Sequence, residues 1–280
     1  MSKVMLSIGH GYSAGALGRT LLADGWRVYG TTRSADKALS LQAQGITPIV
    51  WPDTDLSPFI EKASHVLTSV SPTTDGDAVL HAHGDDLRDG DFEWVGYLST
   101  TGVYGDHGGA WVDEDTPLTP STKRGEMRRD AEAAWTALGL PLHIFRLAGI
   151  YGPNRGPFAK VRAGTARRII KKDQVFSRIH VDDIAQVLAA SIDAPRVGAV
   201  YNLCDDDPAP PEDVIGYAAQ LLGMPMPEAI DFETADMTPM ARSFYAENKK
   251  VRNDLIKSEL GISLKFPDYR SGLETLLAQS

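Results

Sequence analysis

Apolar and polar positions along the first 150 residues follow two alternating periods, one typical of strands and the other of helices. Short apolar runs rich in β-branched residues predict six strands, over residues 4–8, 26–31, 47–51, 65–70, 94–99 and 141–146. Apolar positions spaced three and four apart predict helices between them, after residue 14 and over residues 35–44, 56–62, 78–83 and 121–138. This alternation favours an α/β fold, in which a doubly wound parallel sheet has helices on both faces.

The regular alternation ends near residue 150. Beyond it the patterns predict helices over 164–172, 211–222, 248–260 and 271–279, an extended segment over 178–183 and a strand over 199–203. Asp182 is the predicted N-cap of a further helix that ends at residue 192. We therefore expect a Rossmann-like core over residues 1–150. A smaller mixed α/β lobe over 151–280 returns the strand near 199–203 to the core sheet.

A turn with two glycines joins the first strand to the first helix, in the pattern Gly9-x-Gly11-x-x-Ala14. Gly9 permits a tight turn, Gly11 lets the backbone approach a pyrophosphate, and Ala14 lets the helix pack on its strand. Free N–H groups and the positive dipole at the helix N-terminus attract phosphates, so Tyr12 and Ser13 are candidate contacts as well. The core is therefore predicted to bind a dinucleotide. The alternative is a glycine-rich turn without a ligand.

The residue that reads the adenosine ribose of a dinucleotide normally follows the second strand, about twenty residues after the glycines. No Asp or Glu lies there, and the segment 31–34 contains Arg33 instead. A guanidinium grips phosphate oxygens with paired N–H donors, so Arg33 favours NADP over NAD. NAD, with Arg33 merely solvated, is the alternative. Ser71 follows the fourth strand at the same sheet edge and is a further candidate cofactor contact.

Composition narrows the function classes. The 280-residue chain has a net charge of −9 and few clustered cations, which argues against nucleic-acid binding. Its one cysteine, Cys204, allows no intramolecular disulfide. We interpret His81, His83, Asp85 and Asp86 as a solvated surface, and predict no metal site. Apolar stretches stay below transmembrane length and the chain starts directly with a strand, so we expect a cytoplasmic protein without membrane contacts.

Further motifs follow the glycine turn in a fixed order. They are Leu98-Ser99-Thr100-Thr101-Gly102-Val103-Tyr104-Gly105, Ala131-Glu132, Arg146, Tyr151-Gly152-Pro153, Arg178-Ile179-His180-Val181-Asp182-Asp183-Ile184-Ala185 and Val200-Tyr201-Asn202-Leu203. Together they resemble the extended or atypical short-chain dehydrogenases/reductases, of the NAD-dependent epimerase/dehydratase type. The resemblance covers most of the chain and implies a nicotinamide cofactor and a small-molecule substrate. The Gly-His-Gly-Tyr-Ser-Ala form of the turn is most similar to an atypical branch of that family.

The chain departs from this family at the catalytic residues, which are usually a Ser or Thr, a Tyr, and a Lys four residues after that Tyr. Thr100 matches the Ser/Thr position, where a hydroxyl orients the substrate carbonyl and supports its developing charge. Counting back from Ala131-Glu132 places Arg124 at the tyrosine position and Arg128 at the lysine position. A guanidinium does not release its proton, so Arg124 is a candidate to bind a substrate carboxylate or phosphate. Arg128 is a candidate for hydrogen bonds to the cofactor ribose.

Other side chains are candidates for the missing acid and for substrate contacts. Tyr104 is the candidate acid and joins Thr100 and Arg128 in the predicted catalytic set. Tyr151, Arg178 and His180 are candidate substrate contacts, because the resemblance places their segments along the cleft. Each has a structural alternative: a tyrosine packs in the core, a histidine fixes local structure, and an arginine pairs with a surface acid.

Three functions follow from these residues. The first is an NADP-dependent oxidoreductase that acts on a small carbonyl or sugar-like substrate without the usual Tyr-x-x-x-Lys. The second is a non-catalytic NADP-binding sensor. The third, a nucleotide-sugar epimerase or dehydratase, is favoured least because the missing tyrosine and lysine weigh against it most. The resemblance also implies a homodimer, for which the helix over 121–138 is the candidate face.

Overall fold

The structure is a computed structural model that describes residues 3–279. The first two residues of the predicted core and the last residue of the predicted second lobe lie outside the described residues. Its strands are β1 (Val4–Ile8), β2 (Arg27–Thr32), β3 (Thr47–Val50), β4 (His65–Thr68), β5 (Trp94–Thr100), β6 (Trp111–Val112), β7 (Leu142–Leu147), β8 (Gly149–Tyr151), β9 (Arg168–Ile170), β10 (Arg178–His180), β11 (Val200–Leu203), β12 (Ala229–Asp231) and β13 (Lys250–Val251). Its helices are α1 (Tyr12–Ala23), α2 (Ala35–Ala43), α3 (Ser57–Ile60), α4 (Ala78–Arg88), α5 (Lys123–Thr136), α6 (Phe158–Arg162), α7 (Val181–Asp193), α8 (Pro211–Leu221), α9 (Pro239–Phe244), α10 (Asp254–Leu260) and α11 (Tyr269–Ala278). A 3-10 helix, Thr101–Tyr104, follows β5 directly.

Seven of these strands form one parallel sheet, in the order β11-β7-β5-β4-β1-β2-β3. The order reverses at β1, because the chain first moves outward to β2 and β3 and then returns to β4 on the other side. A crevice opens at the carboxyl ends of the strands at such a switch point, and the glycine turn after β1 lies there. The predicted doubly wound, Rossmann-like α/β fold is confirmed.

Helices cover both faces of the sheet. On one face, Leu17 of α1 and Val187 of α7 are buried in one apolar cluster. On the other face, Trp135 of α5 packs beside Tyr97 of β5, with ring centroids 6.0 Å apart. Every residue of β1 is buried between these layers. Burial on both faces fixes the strand register, and therefore also the places where the loops after the strands meet.

Three two-stranded parallel pairs lie outside the central sheet: β8 with β10, β9 with β12, and β6 with β13. The first pair places Gly149 opposite Arg178 and Tyr151 opposite His180. The third places Lys250 opposite Trp111, so the chain after α9 returns to the loop that follows the 3-10 helix. These pairs bring C-terminal residues to the loops that follow β5 and β7. The division into two lobes at residue 150 stays a prediction.

Helix α4 is kinked at His83, whose φ of −138° and ψ of 21° are not helical, so the predicted helix over 78–83 corresponds to its first segment. Its N-cap is Asp77, whose carboxylate accepts hydrogen bonds from the N–H groups of Val79 and Leu80, at 2.9 and 3.3 Å. The same carboxylate accepts a hydrogen bond of 3.0 Å from the Trp135 indole. The second segment, which continues to Arg88 after the kink, was not predicted because its residues are mostly polar.

Three predictions for the C-terminal half are corrected by the structure. Residues 164–172 are not a helix: the chain turns at Gly164, with φ at +67°, and then forms β9 by pairing with β12. The N-cap of α7 is His180 instead of Asp182, because the Nδ1 atom of His180 accepts the N–H of Asp182 at 3.2 Å. Residues 248–253 are not helical, since they include β13, and the helix there begins at Asp254.

Within residues 3–279, none of the helices is long and apolar enough to span a bilayer. The same residues contain no group of three His, Cys, Asp or Glu side chains that could hold a metal ion. His83 is buried, which corrects the expectation that it lies on a solvated surface, and its Nδ1 atom lies 3.0 Å from the Asp86 carboxylate. The Cys204 thiol is buried and donates a hydrogen bond to the Val251 carbonyl at 3.1 Å.

Candidate functional site

The glycine turn after β1 has the backbone geometry of a phosphate-binding turn. Gly9 has a φ of +79°, a conformation that L side chains rarely adopt. A Cβ atom added to Gly9 would lie 3.0 Å from the Cγ2 atom of Val70. The Gly9 N–H donates to the Thr31 hydroxyl at 2.7 Å, and the Ser69 hydroxyl donates to the Gly9 carbonyl. These bonds tie the turn to the ends of β2 and β4.

Helix α1 leaves its N-terminus open beside this turn. Gly11 is its N-cap, no side chain caps the first N–H groups, and the first turn contains no acid. A Cβ atom added to Gly11 would meet nothing closer than the Gly9 carbonyl, at 3.6 Å, so a ligand can approach the backbone here. Free N–H groups and the helix dipole together favour an anion at this position.

The side chains of Tyr12, Ser13 and Ala14 contact other parts of the protein. Ser13 and Ala14 are buried. The Tyr12 hydroxyl donates to the Pro153 carbonyl at 2.9 Å, which ties α1 to the loop after β8. The backbone N–H groups of these residues, more than their side chains, are therefore the candidate phosphate contacts.

A cleft of about 500 Å³ opens at the turn and extends past the end of β2. Its lining residues are Gly9, His10, Gly11, Thr31, Thr32, Arg33, Ser34, Lys37, Trp51, Ser69, Val70 and Ser71. Arg33 and Lys37 are both exposed, neither forms an ion pair within residues 3–279, and no residue of the lining is acidic. The cleft therefore offers two unneutralised cations at the position where a dinucleotide places its adenosine ribose.

Lys37 is a cleft residue that sequence reasoning missed. It belongs to the first turn of α2, and its N–H donates to the hydroxyl of the N-cap Ser34 at 3.3 Å. The signal was present in the sequence: Lys37 lies in the first turn of the helix that directly follows the ribose-reading segment. A second cation at that place reinforces the role predicted for Arg33.

His10 fills the space between α1 and β2. Cβ atoms added to Gly18 and Gly30 would each lie 2.9 Å from atoms of the His10 ring, so only glycine fits at both positions. The Nδ1 atom of His10 lies 2.9 Å from the Ser7 hydroxyl. Burial is the main cause that lowers the pKa of His10 to about 4, and the nearby Lys37 adds to it. The ring is therefore neutral near pH 7 and adds no charge to the cleft.

A second cavity, of about 340 Å³, lies between the end of β5 and the C-terminal half of the chain. Its lining includes the polar side chains of Thr100, Arg124, Tyr151, Arg178, Glu247 and Lys249. The Thr100 hydroxyl accepts the N–H of Gly102 at 3.1 Å, which leaves its own hydrogen free to donate. We call this space the substrate cavity.

The two arginines at the positions of the family's tyrosine and lysine have different environments. Arg124 is exposed at the substrate cavity, and its guanidinium lies 4.7 Å from the centre of the Phe244 ring. Arg128 instead donates to the carbonyls of Val70 and Leu98, at 3.3 and 2.9 Å. It also donates to the hydroxyls of Tyr97 and Ser71, at 3.0 and 3.1 Å. Arg128 thus ties the ends of β4 and β5 together, and the resemblance gave no sign of this role.

The expectation that Tyr104 supplies the acid is corrected by its surroundings. Its hydroxyl is buried, donates to the Asn202 side chain at 2.7 Å and accepts a hydrogen bond from Arg146 at 2.9 Å. Arg146 in turn pairs with the buried Glu132 at 2.9 Å. Burial raises the pKa of Tyr104 to about 12 despite the neighbouring guanidinium. Tyr104 does not line the substrate cavity and has the structural role left open above.

The three remaining candidates divide in the same way. Tyr151 and Arg178 line the substrate cavity, whereas His180 does not. His180 is buried between rings, with its centroid 4.0 Å from that of Phe266, and burial lowers its pKa. The Tyr151 hydroxyl points to the Asp268 carbonyl at 3.4 Å, and burial raises the pKa of this phenol. His180 is therefore corrected from a substrate contact to a residue that caps α7.

Lys249 and Glu247 also line the substrate cavity, although neither belongs to a motif from which a site residue was predicted. The Lys249 ammonium lies 2.6 Å from the Glu247 carboxylate, and only about a tenth of each side chain is exposed. The same ammonium donates to the Gly105 carbonyl at 2.8 Å. The pair lies far in sequence from the family's catalytic motifs, so only the folded chain shows that it shares a cavity with Thr100.

Comparison with known proteins agrees with this architecture. No family model matches the chain. The protein YeeZ of Escherichia coli strain K12 is 27% identical over 284 residues, which cover 96% of this chain and 97% of YeeZ. The structure of a conserved protein of unknown function from Silicibacter pomeroyi is 58% identical, with a TM-score of 0.96, over 100% of this chain and 99% of that one.

Two further solved structures relate the fold to enzymes. A candidate NAD-dependent epimerase/dehydratase from Methylobacillus flagellatus is 27% identical with a TM-score of 0.74, over 99% of this chain and 98% of that one. The UDP-glucuronic acid 4-epimerase from Bacillus cereus, in complex with UDP-glucuronic acid and NAD, has a TM-score of 0.78 at 19% identity, over 99% of each chain. The fold and the turn define a Rossmann-like α/β protein. The chain is similar to NAD-dependent epimerases/dehydratases, which is consistent with its resemblance to the extended or atypical short-chain dehydrogenases/reductases.

Proposed function

We propose that this protein is an NADP-dependent oxidoreductase that acts on a small carbonyl or sugar-like substrate. The observation that supports NADP is the pair Arg33 and Lys37, both exposed in the cleft beside the glycine turn. A 2′-phosphate between them would gain charge-assisted hydrogen bonds from a forked guanidinium and from an ammonium. NAD has only a hydroxyl at this place, which neither cation prefers.

The remaining parts of the cofactor also fit the residues present. The open N-terminus of α1 and the bare backbone of Gly11 would bind the pyrophosphate. When bound, the nicotinamide supplies or accepts a hydride. Thr100, at the end of β5, is placed to donate its free hydroxyl hydrogen to a substrate carbonyl oxygen.

The size of the substrate cavity favours a small substrate. Its volume of about 340 Å³ lies at the lower end of small-molecule sites, which is little room for a complete nucleotide sugar. The missing Tyr-x-x-x-Lys also weighs against an enzyme that acts on nucleotide sugars. An epimerase or dehydratase of a nucleotide sugar is therefore the candidate that the structure favours least.

A second candidate function, an NADP-binding sensor without turnover, is favoured by one observation. The guanidinium of Arg128, at the position of the family's lysine, is engaged by backbone carbonyls and neighbouring hydroxyls. Arg124, at the tyrosine position, does not release a proton at accessible pH. Neither residue lines the cleft beside the glycine turn. A protein that bound NADP without turning it over would keep the whole cleft of Arg33 and Lys37.

Calorimetric titration with NADP⁺ and NAD⁺ tests the cofactor assignment. We expect the wild-type protein to bind NADP⁺ more tightly, and Arg33→Ala to weaken NADP⁺ by about 10–100-fold while leaving NAD⁺ unchanged. Lys37→Ala should act in the same direction. The matched control is Arg27→Ala, since Arg27 is an exposed arginine at the opposite end of β2. Equal affinities of the wild-type protein for both dinucleotides would contradict the assignment to NADP.

Turnover separates the enzyme from the sensor. A panel of small aldehydes, ketones and sugars is incubated with NADPH and the protein, and the absorbance of the reduced cofactor is followed. We expect oxidation with at least one substrate, and a loss of about 10²–10³ in kcat for Thr100→Val if its hydroxyl supports the developing charge. Tight NADPH binding with no oxidation on any substrate would favour the sensor.

A further inference from the structure

The phenol in the lining of the substrate cavity, that of Tyr151, directs its hydroxyl to the Asp268 carbonyl at 3.4 Å, and the lining contains two other groups that exchange protons in water, Glu247 and Lys249. We propose that Lys249 is the proton donor of this enzyme, held by Glu247, in place of the absent tyrosine. The inference rests on the proposed oxidoreductase function. It concerns which side chain of the cavity completes that reaction.

Elimination leaves few alternatives among the residues that line the cavity. Arg124 and Arg178 keep their protons at accessible pH. The Tyr151 hydroxyl is directed to the Asp268 carbonyl, and burial raises the pKa of this phenol. Threonine and serine hydroxyls orient a substrate but are poor acids. Glu247 and Lys249 remain. Both line the cavity, both side chains exchange protons in water, and the two form an ion pair.

The contacts of Lys249 leave one donor for a substrate. An ammonium has three N–H groups. One is directed to the Gly105 carbonyl at 2.8 Å and a second to the Glu247 carboxylate at 2.6 Å. The other oxygen of Glu247 accepts a hydrogen bond of 2.8 Å from Ser121, which fixes the carboxylate. Lys249 is therefore held at the cavity wall with a third N–H available to the substrate.

The proton balance of the step is simple. When bound, a dihydronicotinamide cofactor would supply the hydride, and with it the two electrons, that reduce the carbonyl carbon. The carbonyl π bond breaks and its electron pair takes a proton from the Lys249 Nζ atom, which gives an alcohol and a neutral amine. The amine regains a proton from water and forms its ion pair with the Glu247 carboxylate again. Thr100 donates a second hydrogen bond to the same oxygen.

The first test needs neither cofactor nor turnover. The apo protein is treated with glycolaldehyde and sodium cyanoborohydride, and alkylation of each lysine is followed by mass spectrometry. An amine that faces the cavity condenses with the aldehyde to an imine and releases water. The cyanoborohydride then reduces the imine to a stable secondary amine. We expect alkylation of Lys249 in the wild-type protein. In Glu247→Gln we expect it to be about tenfold faster, because the amine loses the ion pair of 2.6 Å that holds it at the cavity wall.

Lys257 is the matched control, because it pairs with Asp206 at the same 2.6 Å but does not line the cavity. Its alkylation should not change in Glu247→Gln. Alkylation of Lys257 without any alkylation of Lys249 would overturn the proposal. So would equal rates for Lys249 with and without the Glu247 carboxylate.

The second test uses the loaded enzyme and the carbonyl panel. Lys249→Arg keeps a cation that can still donate to the Gly105 carbonyl, but it does not release a proton. We expect it to lower kcat by about 10²–10⁴ while the dissociation constant of NADPH is unchanged. Unchanged turnover in Lys249→Arg would overturn the role of Lys249. Failure of the wild-type protein to bind NADPH would instead contradict the proposed function, while the alkylation experiment would still decide where the Lys249 amine points.

Discussion

The Arg128 guanidinium donates a hydrogen bond of 2.9 Å to the carbonyl oxygen of Leu98. Leu98 belongs to β5, and the same guanidinium also bonds the Val70 carbonyl just after β4 at 3.3 Å. The position that the family gives to a catalytic lysine is therefore used here to hold two neighbouring strand ends together. Both carbonyls accept from the same nitrogen, Nη1, while Nη2 donates to the Ser71 hydroxyl at 3.1 Å. A lysine has one nitrogen at its tip and does not replace both.

Restoring the family's lysine should therefore weaken the protein. We expect Arg128→Lys to lower the free energy of unfolding by about 1 kcal/mol, because one ammonium does not serve all four acceptors of the guanidinium and at least the Ser71 hydroxyl loses its donor. The control is Arg129→Lys, since Arg129 is half-exposed and pairs with Asp130 on the surface. It should change stability by less than about 0.5 kcal/mol. Urea denaturation measures the free energy of unfolding of both variants. Equal values would contradict the role of Arg128 in holding the ends of β4 and β5 together.

The approach of α5 to the loop after β5 depends on Gly125. A Cβ atom there would lie 2.6 Å from the Gly102 carbonyl oxygen, so the helix must shift to accept one. We expect Gly125→Ala to cost about 1–3 kcal/mol by urea denaturation. Gly84→Ala, in α4 with no atom within 4 Å of the added Cβ, should be neutral or stabilise by about 0.5–1 kcal/mol. A Gly125→Ala protein as stable as Gly84→Ala would show that this contact is not tight.

The buried histidines predict a loss of stability in mild acid. Burial lowers the pKa values of His10 and His65 to about 4, against 6.5 for an exposed histidine. Below pH 6.5 the two histidines take up protons in the unfolded chain but stay neutral in the folded chain. The free energy of unfolding therefore falls as the pH decreases. At about 1.4 kcal/mol per pH unit, each ring costs about 2 kcal/mol by pH 5. The loss continues until the folded rings themselves titrate near pH 4.

Urea denaturation between pH 7 and pH 5 checks this expectation. The variant His65→Gln lacks one of the two rings and should lose about 2 kcal/mol less than the wild-type protein over that interval. The same loss in both proteins would mean that His65 is not neutral in the folded state.

Much of the fold was predictable because its strands are buried on both faces. Continuous apolar runs located β1, β4 and β7 to within two residues, and the alternation with helices indicated the parallel sheet. The segment 164–172 failed for the opposite reason. Its strand exists only through pairing with β12, about sixty residues later, and no local pattern records such a partner.

The candidate site was predictable where a backbone turn requires particular residues, and much less so where side chains meet in space. The spacing of Gly9 and Gly11 predicted a turn with a positive φ at Gly9 and an open helix N-terminus, and the structure has both. The roles of this turn in binding phosphate and of Arg33 in binding a ribose phosphate stay predictions. Lys249 follows no motif, because it reaches the cavity through the pairing of β13 with β6. Tyr104 lies in a recognisable motif, yet its hydroxyl is held by Asn202, about a hundred positions away.

Phosphorus NMR of NADP⁺ tests the central claim most directly, because the nucleotide has one resonance for its 2′-phosphate and others for its pyrophosphate. With equimolar protein, we expect both to shift and broaden, since the open N-terminus of α1 contacts one and Arg33 with Lys37 contact the other. In Arg33→Ala, the 2′-phosphate resonance should return toward its free position more than the pyrophosphate does. Resonances that remain at their free positions in the presence of the wild-type protein would contradict the account.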